Sequence, residues 1–389
     1  MKRHSFGAAI LLFIILGSVC GTVEAQTGTV NVVTTAVPFL RISPDARGGG
    51  MGDAGIASSP DVNAPFWNLG KTPFNKMGTA IGVNYTPWLK DLGLNDVYLA
   101  SLAGYRQLTD DQAFSYSMRY FSLGNIQFTD YAGNLLNSYN PREFSLDIGY
   151  SRKLSANLGL GVALRYINSS LATGTVNGVT YKAGNAVAGD VSLFYTSDEK
   201  EGAGFNWGIT LSNLGTKIGY TNDAANKDFI PANLGLGVAY TAVMDETSKI
   251  SFELDINKLL VPAAPVLTDP SNPSLDSANL AEYKSMSVVK SWTKSFADGS
   301  NQLQDLQASV GVEYAYNNQF MLRGGYFYES AERGNRRYFS AGVGLKYDAI
   351  GINFSYLIPS GNGITRNPLS NTIRIGLTFD LEKDDTHKN

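Results

Sequence analysis

Hydrophobic and polar residues alternate one for one along most of this chain. Ile350, Ile352, Phe354, Tyr356 and Ile358 are separated by Gly351, Asn353, Ser355 and Leu357; farther on, Ile373, Ile375, Leu377 and Phe379 alternate with Thr372, Arg374, Gly376, Thr378 and Asp380. Successive side chains of a strand point to opposite faces, so each segment has one apolar and one polar face. The same rhythm predicts fourteen strands, near 77–86, 95–105, 112–123, 142–153, 157–168, 186–197, 203–213, 232–242, 247–257, 304–316, 319–329, 336–348, 350–358 and 371–381. Most are long enough to cross a hydrocarbon layer at a tilt, whereas strands of soluble domains are roughly half that length.

Charge placement decides which face meets which medium. Phe144, Leu146, Ile148 and Tyr150 oppose Ser145, Asp147, Gly149 and Ser151, and Ile250, Phe252, Leu254 and Ile256 oppose Ser251, Glu253, Asp255 and Asn257. Arg119, Arg165, Asp190, Glu313, Arg323 and Arg374 also fall on the polar faces of their strands. A slip of one residue would turn these charges outward, where Arg or Lys at mid-membrane costs about 2–4 kcal/mol. Apolar faces out and polar faces in is the inverse of a soluble barrel. Connections alternate as well. Those near 106–111, 154–156, 198–202, 243–246, 317–318 and 349 are short, and those near 87–94, 124–141, 169–185, 214–231, 258–303, 330–335 and 359–370 are mostly longer. Short periplasmic turns and longer external loops are the habit of outer-membrane barrels, and the alternation puts both ends of the strand array on the periplasmic side. The pattern therefore predicts an all-β, 14-stranded antiparallel transmembrane β-barrel.

Composition narrows the chemistry. The 389-residue chain opens with Lys2, Arg3 and His4, an apolar run over 6–19 and the small-residue pattern Val23-Glu24-Ala25, which together read as a signal peptide over 1–25. The apolar run is short for a spanning helix. Lipid modification of Cys20 is an alternative reading of the same stretch. Cys20 is the only cysteine, and the two histidines are His4 and His387, so the expected folded body has neither residue. That excludes Ser-His-Asp and Cys-His catalysis and His- or Cys-ligated metal. No cofactor and no enzymatic activity are expected. A formal charge of −3 gives no electrostatic case for nucleic acid.

Two stretches lack the rhythm. Residues 26–76 contain Gly48-Gly49-Gly50-Met51-Gly52, which lacks the Gly-Lys-Ser/Thr ending of a phosphate loop and reads as tight backbone packing. A segment entering a wide barrel from the periplasmic side can fold into the lumen as a plug, with Arg41, Asp45, Arg47, Asp53 and Asp61 available to meet lumen charges. The connection 258–303 contains Pro262, Pro265, Pro270 and Pro273, and its part 274–296 reads as a helix. Leu280, Tyr283, Val288 and Trp292 lie near helical spacing, along with Ser287 and Ser291. Either this helix covers the barrel mouth with its apolar face, or it docks a partner through its aromatic residues.

Phe39-Leu40-Arg41-Ile42, Asp45-Ala46-Arg47, Gly50-Met51-Gly52-Asp53-Ala54-Gly55 and Phe66-Trp67-Asn68 resemble the N-terminal segment of the PorV/PorQ branch of the FadL-like barrels. The motif covers about thirty residues, and the strand count extends the likeness over the rest of the chain. Where the family has Trp-Asn-Pro-Ala, this chain has Trp67-Asn68-Leu69-Gly70. The resemblance implies a FadL-like barrel over 77–381 with an N-terminal plug over 26–76 that includes Trp67 and Asn68, a long external loop at 258–303 and a polar tail at 382–389. It implies a non-catalytic type IX secretion component of the Bacteroidetes outer membrane. Such proteins bind the C-terminal signal domains of cargo, take cargo from the translocon barrel and deliver it to the sortase and attachment complex at the surface. The implied partners are those three and outer-membrane lipid. A FadL-type channel for hydrophobic small molecules is the alternative, which the Gly-, Ser- and Asn-rich luminal faces disfavour.

Overall fold

The computed structural model describes residues 33–381, apart from 91–92, 130–132, 177–178, 198–202, 224–226, 266–272, 298–301 and 359–370. The expected signal peptide, the polar tail, Pro270 and the connection 359–370 lie outside the described residues.

Fourteen antiparallel strands close into a barrel. They are β1 (Thr79–Pro87), β2 (Val97–Thr109), β3 (Gln112–Leu123), β4 (Arg142–Lys153), β5 (Leu158–Ser170), β6 (Gly184–Thr196), β7 (Gly204–Gly215), β8 (Asn233–Val243), β9 (Ser248–Leu259), β10 (Leu306–Tyr316), β11 (Phe320–Glu329), β12 (Arg337–Tyr347), β13 (Ile350–Ile358) and β14 (Ile373–Leu381). Each pairs with its sequence neighbours, and β1 closes on β14 with Val83 opposite Leu377. Closure leaves no free sheet edge, which a chain in hydrocarbon requires. Every strand matches one read from the sequence to within about three residues, apart from β2, which runs on to Thr109.

The inverse patterning is also present. Outward-facing Leu146, Ile148, Leu164, Val187 and Ile352 are exposed, whereas Arg119, Asp147, Arg165, Glu253, Asp255, Glu313, Arg323 and Arg374 are buried on the inner face. Outward aromatic residues gather toward the two rims. Tyr85, Tyr98 and Tyr120 form a ladder across β1–β3 at one end, with centroids 5.4 and 6.2 Å apart. Tyr195 stacks on Trp207 at the other end, at 5.7 Å. Such girdles mark the membrane–water boundaries.

The short-turn rim reverses direction economically. Asn317 and Asn318 both take positive φ between β10 and β11, which asparagine tolerates better than most residues. The opposite rim carries the long connections, and several fold on themselves. Small hairpins pair Ile126–Thr129 with Leu135–Tyr139, Gly174–Val176 with Val179–Tyr181, and Ile218–Gly219 with Lys227–Asp228. The single helix expected over 274–296 is instead two, Pro273–Ser285 and Val288–Lys294. Ser287 breaks it: its extended backbone forms an N-cap, and its hydroxyl accepts from the Lys290 amide at 3.3 Å. Among the described residues no helix is long and apolar enough to cross a membrane.

Candidate docking rim and luminal segment

Residues 33–78 precede β1, and their short elements bond to inward-facing groups of the barrel strands. A 3-10 turn spans Pro38–Arg41, helix α1 spans Ala46–Gly50, helix α2 spans Ala64–Trp67, and a second 3-10 turn spans Leu69–Phe74. Asp45 caps α1, its Oδ2 accepting from the Gly48 amide at 2.9 Å, and its Oδ1 accepts from Trp67 Nε1 at 2.6 Å. The indole then lies against Gly48 and Gly55, where any Cβ would fall within 2.6 Å of the ring. Gly50 faces the backbone of Gly342, and Gly52, at φ +70°, sits against the backbone of Tyr326. The glycine run thus allows close backbone approach to the wall.

Ion pairs and hydrogen bonds tie this segment to strands on every side. Arg47 binds Glu313 of β10 through two nitrogens, at 2.8 and 3.1 Å, and Asp61 at 3.1 Å. Arg323 of β11 donates to the same Glu313 carboxylate at 2.6 Å. Asp53 accepts from the Tyr338 hydroxyl at 2.5 Å and pairs with Arg374 of β14 at 3.4 Å. Arg41 reaches Glu329 at 3.2 Å. Asn68 donates to the carbonyls of Ile56 and Leu193, and its Oδ1 accepts from the Gly70 amide. Asn84 of β1 accepts from the Ala46 amide at 3.2 Å.

Four consecutive amides converge on two carboxylates of β9. Gly55 and Ile56 donate to Asp255 Oδ2 at 2.7 and 2.9 Å, and Ala57 and Ser58 donate to Glu253 Oε1 at 2.8 and 2.7 Å. Lys71 lies beneath them with no exposed surface, its Nζ donating to the Gly55 carbonyl at 2.6 Å and the Ser58 hydroxyl at 2.9 Å. Burial pushes its ammonium pKa down, while the nearby carboxylates act the other way. The sequence signals nothing of Lys71, Glu253 or Asp255 as partners, because nearly 200 residues separate the amides from the carboxylates.

Near the short-turn half of β4–β6, the segment packs on glycines. A Cβ on Gly159 would fall 2.1 Å from the Gly70 carbonyl oxygen, and one on Gly161 2.6 Å from the Gly70 nitrogen. A polar cavity of about 120 Å³ remains between the segment and the long-connection end of the wall, lined among others by Arg41, Asp53, Trp67, Arg119, Asn213 and Arg336.

The long connection between β9 and β10 is fixed at its base. Asp305 is held by Lys258 at 2.9 Å and Arg333 at 2.6 Å. Of the expected docking residues, Leu280, Tyr283, Val288 and Trp292 are all only partly exposed. The Tyr283 ring packs edge-on against Phe229 at 5.5 Å, its hydroxyl donates to the Pro262 carbonyl at 3.3 Å, and burial pushes the phenol up to about 12. Lys217 caps the Phe229 ring at 4.0 Å and donates to the Lys284 carbonyl, pinning the helix end. The outward apolar residues of this connection are instead Val289, Phe296 and Leu303. Helical spacing misses Val289 because the break at Ser287 changes the helical phase, and Phe296 and Leu303 because they lie beyond the helix end at Lys294.

A sequence model of the family described as type IX secretion system protein PorV matches residues 24–266, more than half of the chain. The chain belongs to the PorV family. A search of curated proteins finds no match. Among solved structures, the Ralstonia pickettii toluene transporter TbuX is 10% identical at a TM-score of 0.51, covering 87% of this chain and 98% of that one. A TodX mutant monoaromatic hydrocarbon channel is 14% identical at 0.50, covering 87% and 99%. A Pseudomonas aeruginosa FadL homologue is 12% identical at 0.46, covering 91% and 100%. At such identities the first two establish a shared fold. PorV membership and the barrel together make this an outer-membrane protein of type IX secretion.

Proposed function

We propose that this PorV family member is a non-catalytic docking and transfer component of type IX secretion. It binds the C-terminal signal domains of cargo at its long-connection rim, receives cargo from the translocon barrel and presents it to the sortase and attachment complex. The long-connection rim faces outward from the cell, and residues 26–76 act as a plug that blocks the barrel as a passage.

The observation that carries this reading is the set of bonds between the segment before β1 and the inward-facing groups of the wall. Arg47, Asp53, Asn68 and the 55–58 amides bond to the wall on several sides. The cavity above them, about 120 Å³ and predominantly polar, is small beside the ~300–1,000 Å³ of ordinary ligand pockets. That supports binding at the rim over passage of hydrophobic solutes. Exposed Val289, Phe296 and Leu303 give the rim apolar contact surface.

A deletion strain tests the function. Cargo should fail to reach the surface in processed form. Normal surface delivery with the signal domain removed would refute the secretion role, and a signal-domain pull-down that does not recover this protein would refute the docking role.

A further inference from the structure

We infer that the cavity beside Arg119 is a binding site for a carboxylate-bearing group with a short substituent. Arg119 projects from β3 and is only 5% exposed. Its NH1 donates to the Leu40 carbonyl, and its guanidinium lies 5.0 Å from the centre of the Phe66 ring. Its Nε has no hydrogen-bond partner, and Arg119 makes no ion pair among the described residues. Arg165 has Asp147 and Asp190 and Arg323 has Glu313, while Arg374 pairs with Asp53 at 3.4 Å although its Nε and NH1 lack hydrogen-bond partners. A buried guanidinium held by one carbonyl and one ring keeps most of its demand for an anion.

The surroundings fit a carboxylate. The cavity wall includes Arg41, Arg119 and Arg336 against the single carboxylate Asp53. Glu329 lies behind Arg41 and Arg336 and binds both, Arg374 offsets Asp53, and Asp45, Asp147 and Asp190 act on Arg119 only at longer range, without a hydrogen bond to it. Ser43, also lining the cavity, is 4% exposed with an unpartnered hydroxyl. Phe66 and Trp67 supply an apolar side for a small substituent. About 120 Å³ approaches the ~150 Å³ that holds one benzene ring, which suits a carboxylate carrying a few carbons and not a long acyl chain. The wall residues Asn213, Asn233, Asn257 and Gln307 sit at the long-connection ends of β7–β10, so the site lies toward that rim. The carboxylate has two available sources, a free short-chain acid or the chain terminus of a docked peptide. The site stands independently of the secretion reading.

The test is calorimetric titration of the purified full chain in detergent micelles with three probes: sodium propionate, tri-alanine, and tri-alanine with an amidated C-terminus. The two acids should bind and the amide should not. Tri-alanine binding more tightly than propionate assigns the site to a chain terminus; equal or weaker binding assigns it to a free acid. Arg119→Gln should weaken acid binding by at least ~10-fold, the scale of a lost charge-assisted hydrogen bond. Ser309→Leu, which fills the cavity from β10 and keeps Arg119, should do the same. Absence of binding by both acids, equal binding of acid and amide, or unchanged affinity in a folded Arg119→Gln chain would overturn the site. If Arg119→Gln fails to form a heat-modifiable barrel, unchanged binding by Ser309→Leu overturns it; if neither variant folds, the acid–amide contrast on the unsubstituted chain decides.

Discussion

The paired carboxylates of β9 should hold the luminal segment in place, and replacing both by their amides isolates that contribution. Glu253→Gln with Asp255→Asn keeps shape and acceptor oxygens but removes the charge that the pair carries. Four backbone amides, from Gly55 to Ser58, donate to these groups at 2.7–2.9 Å. A hydrogen bond to a charged group contributes about 1.5–3 kcal/mol and a neutral one about 0.5–1.5, so each bond weakens by about 1 kcal/mol. The loss is then about 2 kcal/mol for one charge on the pair and about 4 kcal/mol for two, roughly one and a half to three decades in the opening equilibrium. The buried Lys71 ammonium loses its facing charges at the same time, which acts in the same direction. Cys20 is the only cysteine in the sequence, so a Cys20→Ser, Ser58→Cys chain carries one thiol at a buried position. Maleimide labelling of that thiol reads local opening of the segment. The amide pair should accelerate labelling by about 30- to 1,000-fold while the barrel retains its heat-modifiable migration. Labelling within about threefold of the parent, in a folded barrel, would show that these bonds do not hold the segment.

Other parts of the molecule offer separate tests. Leu164→Arg, outward at the middle of β5, should cost about 2–4 kcal/mol and lower folding yield in lipid vesicles, with no effect expected if β5 faced another medium. Gly52→Ala should prevent stable assembly, because a Cβ there lies 2.6 Å from the Tyr326 nitrogen, whereas Gly93→Ala, at similar φ but in open space, should lose only about 1 kcal/mol in thermal unfolding. The Tyr283 phenol should titrate near 12 in a difference spectrum against Tyr283→Phe; since its folded value is raised, the packing it supports should weaken as pH climbs from 10, and a midpoint near 10 would mean a solvated ring. Val289→Asp with Phe296→Asp should reduce signal-domain capture more than Tyr283→Phe does, and equal capture would remove these two residues from the docking rim.

The barrel was legible in the sequence because hydrocarbon enforces a period of two on each strand, and a misplaced charge is costly enough to fix the register. Ile373 to Phe379 could be read without knowing what Arg374 touches. What Arg374 touches was not readable, since its partner Asp53 comes from a segment with no periodicity. The same holds for Asp255 and the Gly55 and Ile56 amides: backbone donors carry no sequence signature. In the long connection, helical spacing located Tyr283 and Trp292 but assumed one continuous helix. Ser287 interrupts it, and Tyr283 turns onto Phe229, whose position follows from the neighbouring β7–β8 connection. The paired stretches of the long connections went unread because two- to five-residue strands give too few alternations to register.

A fourteen-stranded wall alone is a hoop that can flatten or widen by small shifts between neighbouring strands. Here Asn84, Glu253, Glu313, Ser340 and Arg374 act as spokes from around the hoop, and residues 46–58 are the hub they share. A push on one side of the wall therefore strains bonds on the other, and the cross-section resists ovalisation much as a trued wheel does. The same spokes carry force inward: a partner that presses on one strand tugs at residues that also line the cavity beside Arg119.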